Sequence, residues 1–85
     1  MPAPTVADLI DFAAAHEGWP RGRLEEAIRT RFGVSPARYY QLLHRAAGTR
    51  DAAEHDPTTT RRILTRMGAH LKHRQERTPW PNSSN

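Results

Sequence analysis

Arg38, Tyr40, Gln41 and His44 are side chains that can interrogate the edge of a nucleobase. A guanidinium bonds bidentately to guanine O6 and N7, and a carboxamide does the same to adenine N6 and N7. Tyr40 can donate its hydroxyl to a phosphate or pack on a thymine methyl. Ser35, with the backbone N–H groups that follow it, suits a phosphate oxygen. Arg31, Arg45, Arg61, Arg62 and Arg66 are candidates for sequence-neutral phosphate contacts. The competing reading of the same residues is ordinary: solvated sides of helices that pair with nothing.

Such chemistry needs a rigid element to present it, and the stretch Leu24–Leu43 reads as helix, tight turn, helix. Leu24, Ile28 and Phe32, with Ala27 beside them, mark the buried face of a helix running from Arg21 or Gly22 to Phe32. Gly33 is placed to take the left-handed conformation that ends it, and Val34 to fold inward. Ser35 as N-cap and Pro36 at the first helical position start the next helix, which extends to about Ala47. Its inner stripe is Tyr39, Leu42, Leu43 and Ala46, so that Arg38, Tyr40, Gln41, His44 and Arg45 face outward. This is the spacing of a helix-turn-helix, whose second helix can lie in the DNA major groove. Arg29 is the discordant residue, because a small side chain is preferred where the two helices approach. A helical hairpin with no role on DNA is the alternative.

Two further helices frame this unit. Thr5 as N-cap with Asp8 three residues on begins one, in which Val6, Leu9, Ile10, Ala13 and Ala14 share a face and Phe12 lies beside it, where it can widen the stripe. It ends near His16-Glu17-Gly18, and Trp19 is expected to cap the core at the helix junctions. After Gly48, residues 49–55 form a polar connector with room for a helical turn. Asp56-Pro57 starts the last helix, with Ile63, Leu64, Met67 and Leu71 on its apolar face and Arg61, Arg62, Arg66, His70, His73, Arg74 and Arg77 around the rest. Thr78-Pro79 stops it, and residues 78–85, which include Trp80 between two prolines, read as a disordered tail.

Charge is unevenly distributed. Residues 1–34 hold four Arg against five acids, a net of −1, whereas residues 35–85 hold nine Lys and Arg against four acids, a net of +5. The positive balance thus begins at the outward-facing helix, as an anionic partner requires. No cysteine is present, so neither a disulfide framework nor a thiolate zinc site is available. The His70 and His73 pair has no third ligand in a recognisable pattern, and no metal or other cofactor is expected. No nucleophile stands with a histidine and an acid, and no Gly-rich phosphate loop occurs, which argues against an enzyme. No apolar run approaches the roughly 20 residues that span a bilayer, and no signal-peptide pattern is evident, so a cytoplasmic, nucleoid-associated protein is expected.

The run Ala27-Ile-Arg-x-Arg-Phe-Gly-Val-Ser-Pro-Ala-Arg-Tyr-Tyr-Gln-Leu-Leu43, followed by Asp56-Pro57 and an Arg-rich helix, resembles a family of small actinobacterial proteins with phage relatives. That family has a helix-turn-helix-like core and no assigned function. The resemblance covers roughly residues 6–77 and centres on Arg31-Phe-Gly-x-Ser-x-x-Arg-Tyr-Tyr-Gln41. It implies an all-helical, DNA-associated protein in which Arg31, Arg38, Tyr39, Tyr40 and Gln41 match the motif. The Trp-Pro tail and the moderate basicity of the final helix depart from it.

Together these readings predict an all-α domain of four helices over residues 5–77, followed by the tail. The expected partner is double-stranded DNA, bound sequence-specifically or semi-specifically by a transcriptional or nucleoid-level regulator. One such module makes few contacts, so a homodimer or a second protein would supply the remaining affinity. The alternative is a small adaptor that docks on a polymerase or regulator through Tyr40, Trp80 and the basic helix surface, since aromatics and Arg dominate interface hot spots.

Overall fold

Thr5 and Asp8 open the first helix with a reciprocal capping box. The Asp8 N–H donates to Thr5 Oγ1 at 3.0 Å and the Thr5 N–H to Asp8 Oδ2 at 3.1 Å, satisfying two of the donors that every helix start leaves unpaired. The computed structural model describes the backbone of residues 3–76 and the side chains of residues 3–68. Its elements in chain order are α1 (Val6–Ala15), α2 (Arg21–Phe32), α3 (Pro36–Ala47), α4 (Arg50–His55) and α5 (Pro57–Glu76). The described residues are all-helical, as the periodicity predicts. Residues 78–85, Trp80 among them, lie outside the described residues, as do the side chains of His70, Leu71, His73, Arg74 and Arg77.

Local chemistry sets the boundaries. Gly33 ends α2 at φ +69°, and its N–H donates to the Arg29 carbonyl, a conformation that costs a side-chain-bearing residue energy. The Ser35 side chain accepts from the Arg38 N–H to begin α3, with Pro36 in the first turn. Asp56 Oδ1 accepts from the Thr59 N–H at 3.1 Å to begin α5. The connector after α3 is more ordered than its polarity suggests. Thr49 Oγ1 donates to the Ala46 carbonyl at 2.6 Å and accepts from the Ala52 N–H at 3.2 Å. One hydroxyl therefore closes α3 and caps α4, giving five helices instead of four.

α3 is the hub, since α1, α2, α4 and α5 all pack against it. The core comprises Leu9, Ile10 and Phe12 of α1, Ile28 of α2, Tyr39, Leu43, Ala46 and Ala47 of α3, Ala52 of α4 and Ile63 of α5. Each large aliphatic among them contributes about 1.5–3 kcal/mol on burial. One expectation on α1 is reversed, since Ala14 is exposed, and the buried face is widened by Phe12. The cause is that α2 and α3 both reach that side of α1, where the Phe12 ring meets Phe32 edge-on at 5.1 Å and Tyr39 at 5.4 Å. On α5, Leu64 is turned out and is 42% exposed. Thr59 and Thr60 take the inward positions beside Ile63, because Thr60 Oγ1 can donate to the Ala52 carbonyl at 2.9 Å and so bury its hydroxyl paired.

Candidate nucleic-acid interface

The residues of α3 divide into two halves. Tyr39, Leu43, Ala46 and Ala47 are buried, while Arg38, Tyr40, Gln41, His44 and Arg45 are all exposed. Because residues three and four apart are neighbours on a helix, these five form one continuous stripe. Ser35 sits at its start, with Oγ engaged as the acceptor for the Arg38 N–H at 3.2 Å and its own O–H left to donate. Within the stripe, Arg38 Nη1 donates to Gln41 Oε1 at 3.3 Å. Tyr40 meets the buried Tyr39 edge-on at 5.2 Å and tilts against His44 at 6.3 Å. Burial, with Tyr40 as a lesser cause, pushes the Tyr39 hydroxyl well above the usual phenol range, so Tyr39 is a neutral anchor beneath the stripe.

The arginines assigned to phosphate contacts are not gathered around this stripe as equals. Arg45 and Arg61 are exposed and form no ion pair with a described residue. Arg31 lies on α2 against α1, 3.6 Å from Asp8, with its guanidinium 4.8 Å above the Phe32 ring. Arg62 and Arg66 converge on Glu17, just beyond α1, at 3.3 and 3.1 Å. Three of the five thus have internal carboxylate partners that the sequence pattern gave no reason to expect. Arg29, the discordant residue at the turn, is exposed and does not obstruct the approach of α2 to α3.

A second surface went unrecognised in the sequence. No Cα of α1 comes within 8 Å of one in α2, and the open cleft between them has a volume of about 790 Å³. Phe12, Ala15 and Ala27 line it, together with His16, Trp19 and Arg23. Trp19 does not cap the core as expected; it is 40% exposed. Its ring meets His16 edge-on at 4.4 Å, and the Arg23 guanidinium stands 5.1 Å above it, because the indole lines the open cleft between α1 and α2 and does not reach the core. His16 in turn stacks on Phe12 at 3.9 Å. Its Nδ1 lies 2.8 Å from the Phe12 carbonyl, an acceptor only, so this nitrogen carries the proton. The signal for this cluster was the spacing of His16, Trp19 and Arg23, at i−3 and i+4 from the indole.

A family model for proteins of unknown function, DUF3263, matches residues 8–78. The chain belongs to this DUF3263 family. The matched span takes in the α3 stripe, Glu17 with its two arginines, and the Trp19 cluster. Searches of the curated proteins and of the solved structures find no match to this chain. Among the described residues, no helix is long and apolar enough to cross a membrane.

Proposed function

We propose that this protein binds double-stranded DNA, with α3 as the helix that enters the major groove and α2 as its support, and that it regulates transcription or nucleoid structure. The reading rests on one observation: every polar or charged residue assigned to base contact stands on a single exposed stripe of the best-buried helix. A reader helix must be rigid as well as accessible, and packing against all four other helices supplies the rigidity. Arg38, Tyr40, Gln41 and His44 meet base edges. Ser35 and Arg45 bond the adjoining phosphates, and Arg61 adds a further cation. A homodimer doubles these contacts on two half-sites.

Titration of a labelled random-sequence duplex at several salt concentrations tests the reading. Affinity is expected to fall by about 0.9 logarithmic units per phosphate contact for each tenfold rise in salt. Absence of binding at the lowest salt would remove DNA as the partner. That outcome would favour a protein-binding adaptor, for which Trp19, Tyr40 and Leu64, at 40%, 38% and 42% exposure, are exposed anchors among the described residues.

A further inference from the structure

Arg62 and Arg66 stand one turn apart on α5, and both aim their guanidinium groups at a single carboxylate. Arg62 Nη1 reaches Glu17 Oε1 at 3.3 Å and Arg66 Nη2 reaches Oε2 at 3.1 Å, so each oxygen takes one arginine. The side chains remain 59% and 75% exposed, and that of Glu17 39% exposed. Two guanidinium forks around one two-oxygen anion are the donor arrangement that holds a phosphodiester. Nothing buries the assembly, so the carboxylate is exchangeable.

We propose that Arg62 and Arg66 form a phosphate-binding fork whose occupant in the free protein is the Glu17 carboxylate, and that a DNA phosphate displaces it. This deepens the DNA-binding reading and rests on it. In the free protein, Glu17 cancels one of the two positive charges of the fork. On the duplex, the fork releases Glu17, grips the backbone and adds two cations to the contacts made by the α3 stripe. The carboxylate therefore sets a threshold: weak, incidental encounters with polyanions do not open the fork, whereas a duplex already held by α3 does.

The experiment measures anisotropy of a labelled random-sequence duplex across a salt series. It compares the unaltered chain, Glu17→Gln, Arg62→Ala with Arg66→Ala, and the triple variant. Asp51→Asn, an exposed α4 carboxylate without an ion-pair partner among the described residues, controls for simple loss of one negative charge. Glu17→Gln is expected to tighten binding several-fold more than Asp51→Asn does, and this gain should vanish in the background lacking both arginines. The double arginine variant should lose about 0.9 units of salt slope, the value for the one phosphate the fork holds. Two results would overturn the proposal while leaving DNA binding intact. One is a Glu17→Gln gain no larger than that of Asp51→Asn; the other is a gain that persists without Arg62 and Arg66. No binding by any of these proteins at the lowest salt would instead remove the DNA reading itself. Thermal melts of each variant separate loss of fold from loss of contact, and the exposure of all three side chains favours folded variants.

Discussion

Arg38 and Gln41 are bonded to each other across one turn of α3, the guanidinium donating to the carboxamide oxygen at 3.3 Å. The bond fixes what the pair presents to a partner. Gln41 engages its carboxamide oxygen internally and keeps its two amide N–H donors available, beside the remaining donors of Arg38. The pair is thus dominated by donors, matching the two acceptors of guanine O6 and N7 better than the mixed edge of adenine.

Duplexes with a guanine at the contacted position are therefore expected to bind tighter than those with adenine. Arg38→Ala should abolish about 1–3 kcal/mol of that discrimination, in line with one bidentate contact. Gln41→Ala, which frees the arginine to swing, should weaken the preference less. Competition between duplexes of defined sequence measures both. An equal loss on every sequence for Arg38→Ala would place Arg38 among the phosphate contacts instead.

Phe12 joins three helices through its contacts with Phe32 and Tyr39. Phe12→Ala should cost about 3–5 kcal/mol. That is a large part of the 5–15 kcal/mol typical of a small domain. Urea denaturation followed by circular dichroism would register it as a lower midpoint. Ala14→Ser, on the exposed side of the same helix, should leave the midpoint within about 0.5 kcal/mol.

Gly33 holds φ +69° between α2 and α3, with no atom within 4 Å of where a Cβ would stand. The penalty of Gly33→Ala is therefore backbone strain without a clash, about 1–2 kcal/mol. Gly33→Asn should cost less, because Asn tolerates this region. If the two variants melt at the same temperature as the unaltered protein, the turn does not require this conformation.

Asp8 and Asp56 are expected to make the stability acid-sensitive. Hydrogen bonds from the Thr5 backbone and side chain, with Arg31 as a smaller cause, hold the Asp8 carboxyl below its usual range. Hydrogen bonds from Thr59, with His55 contributing less, do the same for Asp56. A depressed folded-state value means the carboxylate form is favoured by folding. Its contribution is complete above the unfolded value and is lost as pH falls through the folded one. Stability should accordingly decline below about pH 4. Asp8→Asn and Asp56→Asn should flatten that decline in acid melts, and an unchanged acid limb in both would exclude these caps as its source.

The amino-acid sequence by itself determined where most helices begin and end, because those decisions are settled within three or four residues. Thr5 with Asp8, Gly33, Ser35 with Pro36, and Asp56 with Pro57 each satisfy or free specific backbone groups locally. The two-faced character of α3 was legible for the same reason, since helical periodicity places Tyr39 and Leu43 opposite Arg38, Gln41 and Arg45. Thr49 was also a local signal, although its polar neighbours disguised the short α4 that it caps.

The tertiary structure alone decided which residues of α1 are inward and which arginines are engaged. Phe12 displaces Ala14 from the core because two helices converge on that side of α1, a property of packing that one helix's periodicity does not contain. Thr60 is inward because a carbonyl of α4 stands ready to accept its hydroxyl, whereas Leu64 one turn on is exposed. Glu17 meets Arg62 and Arg66 across 45 and 49 residues of chain. Exposed charges leave no burial pattern by which such a pairing could be read, so only the path of the folded chain brings them together.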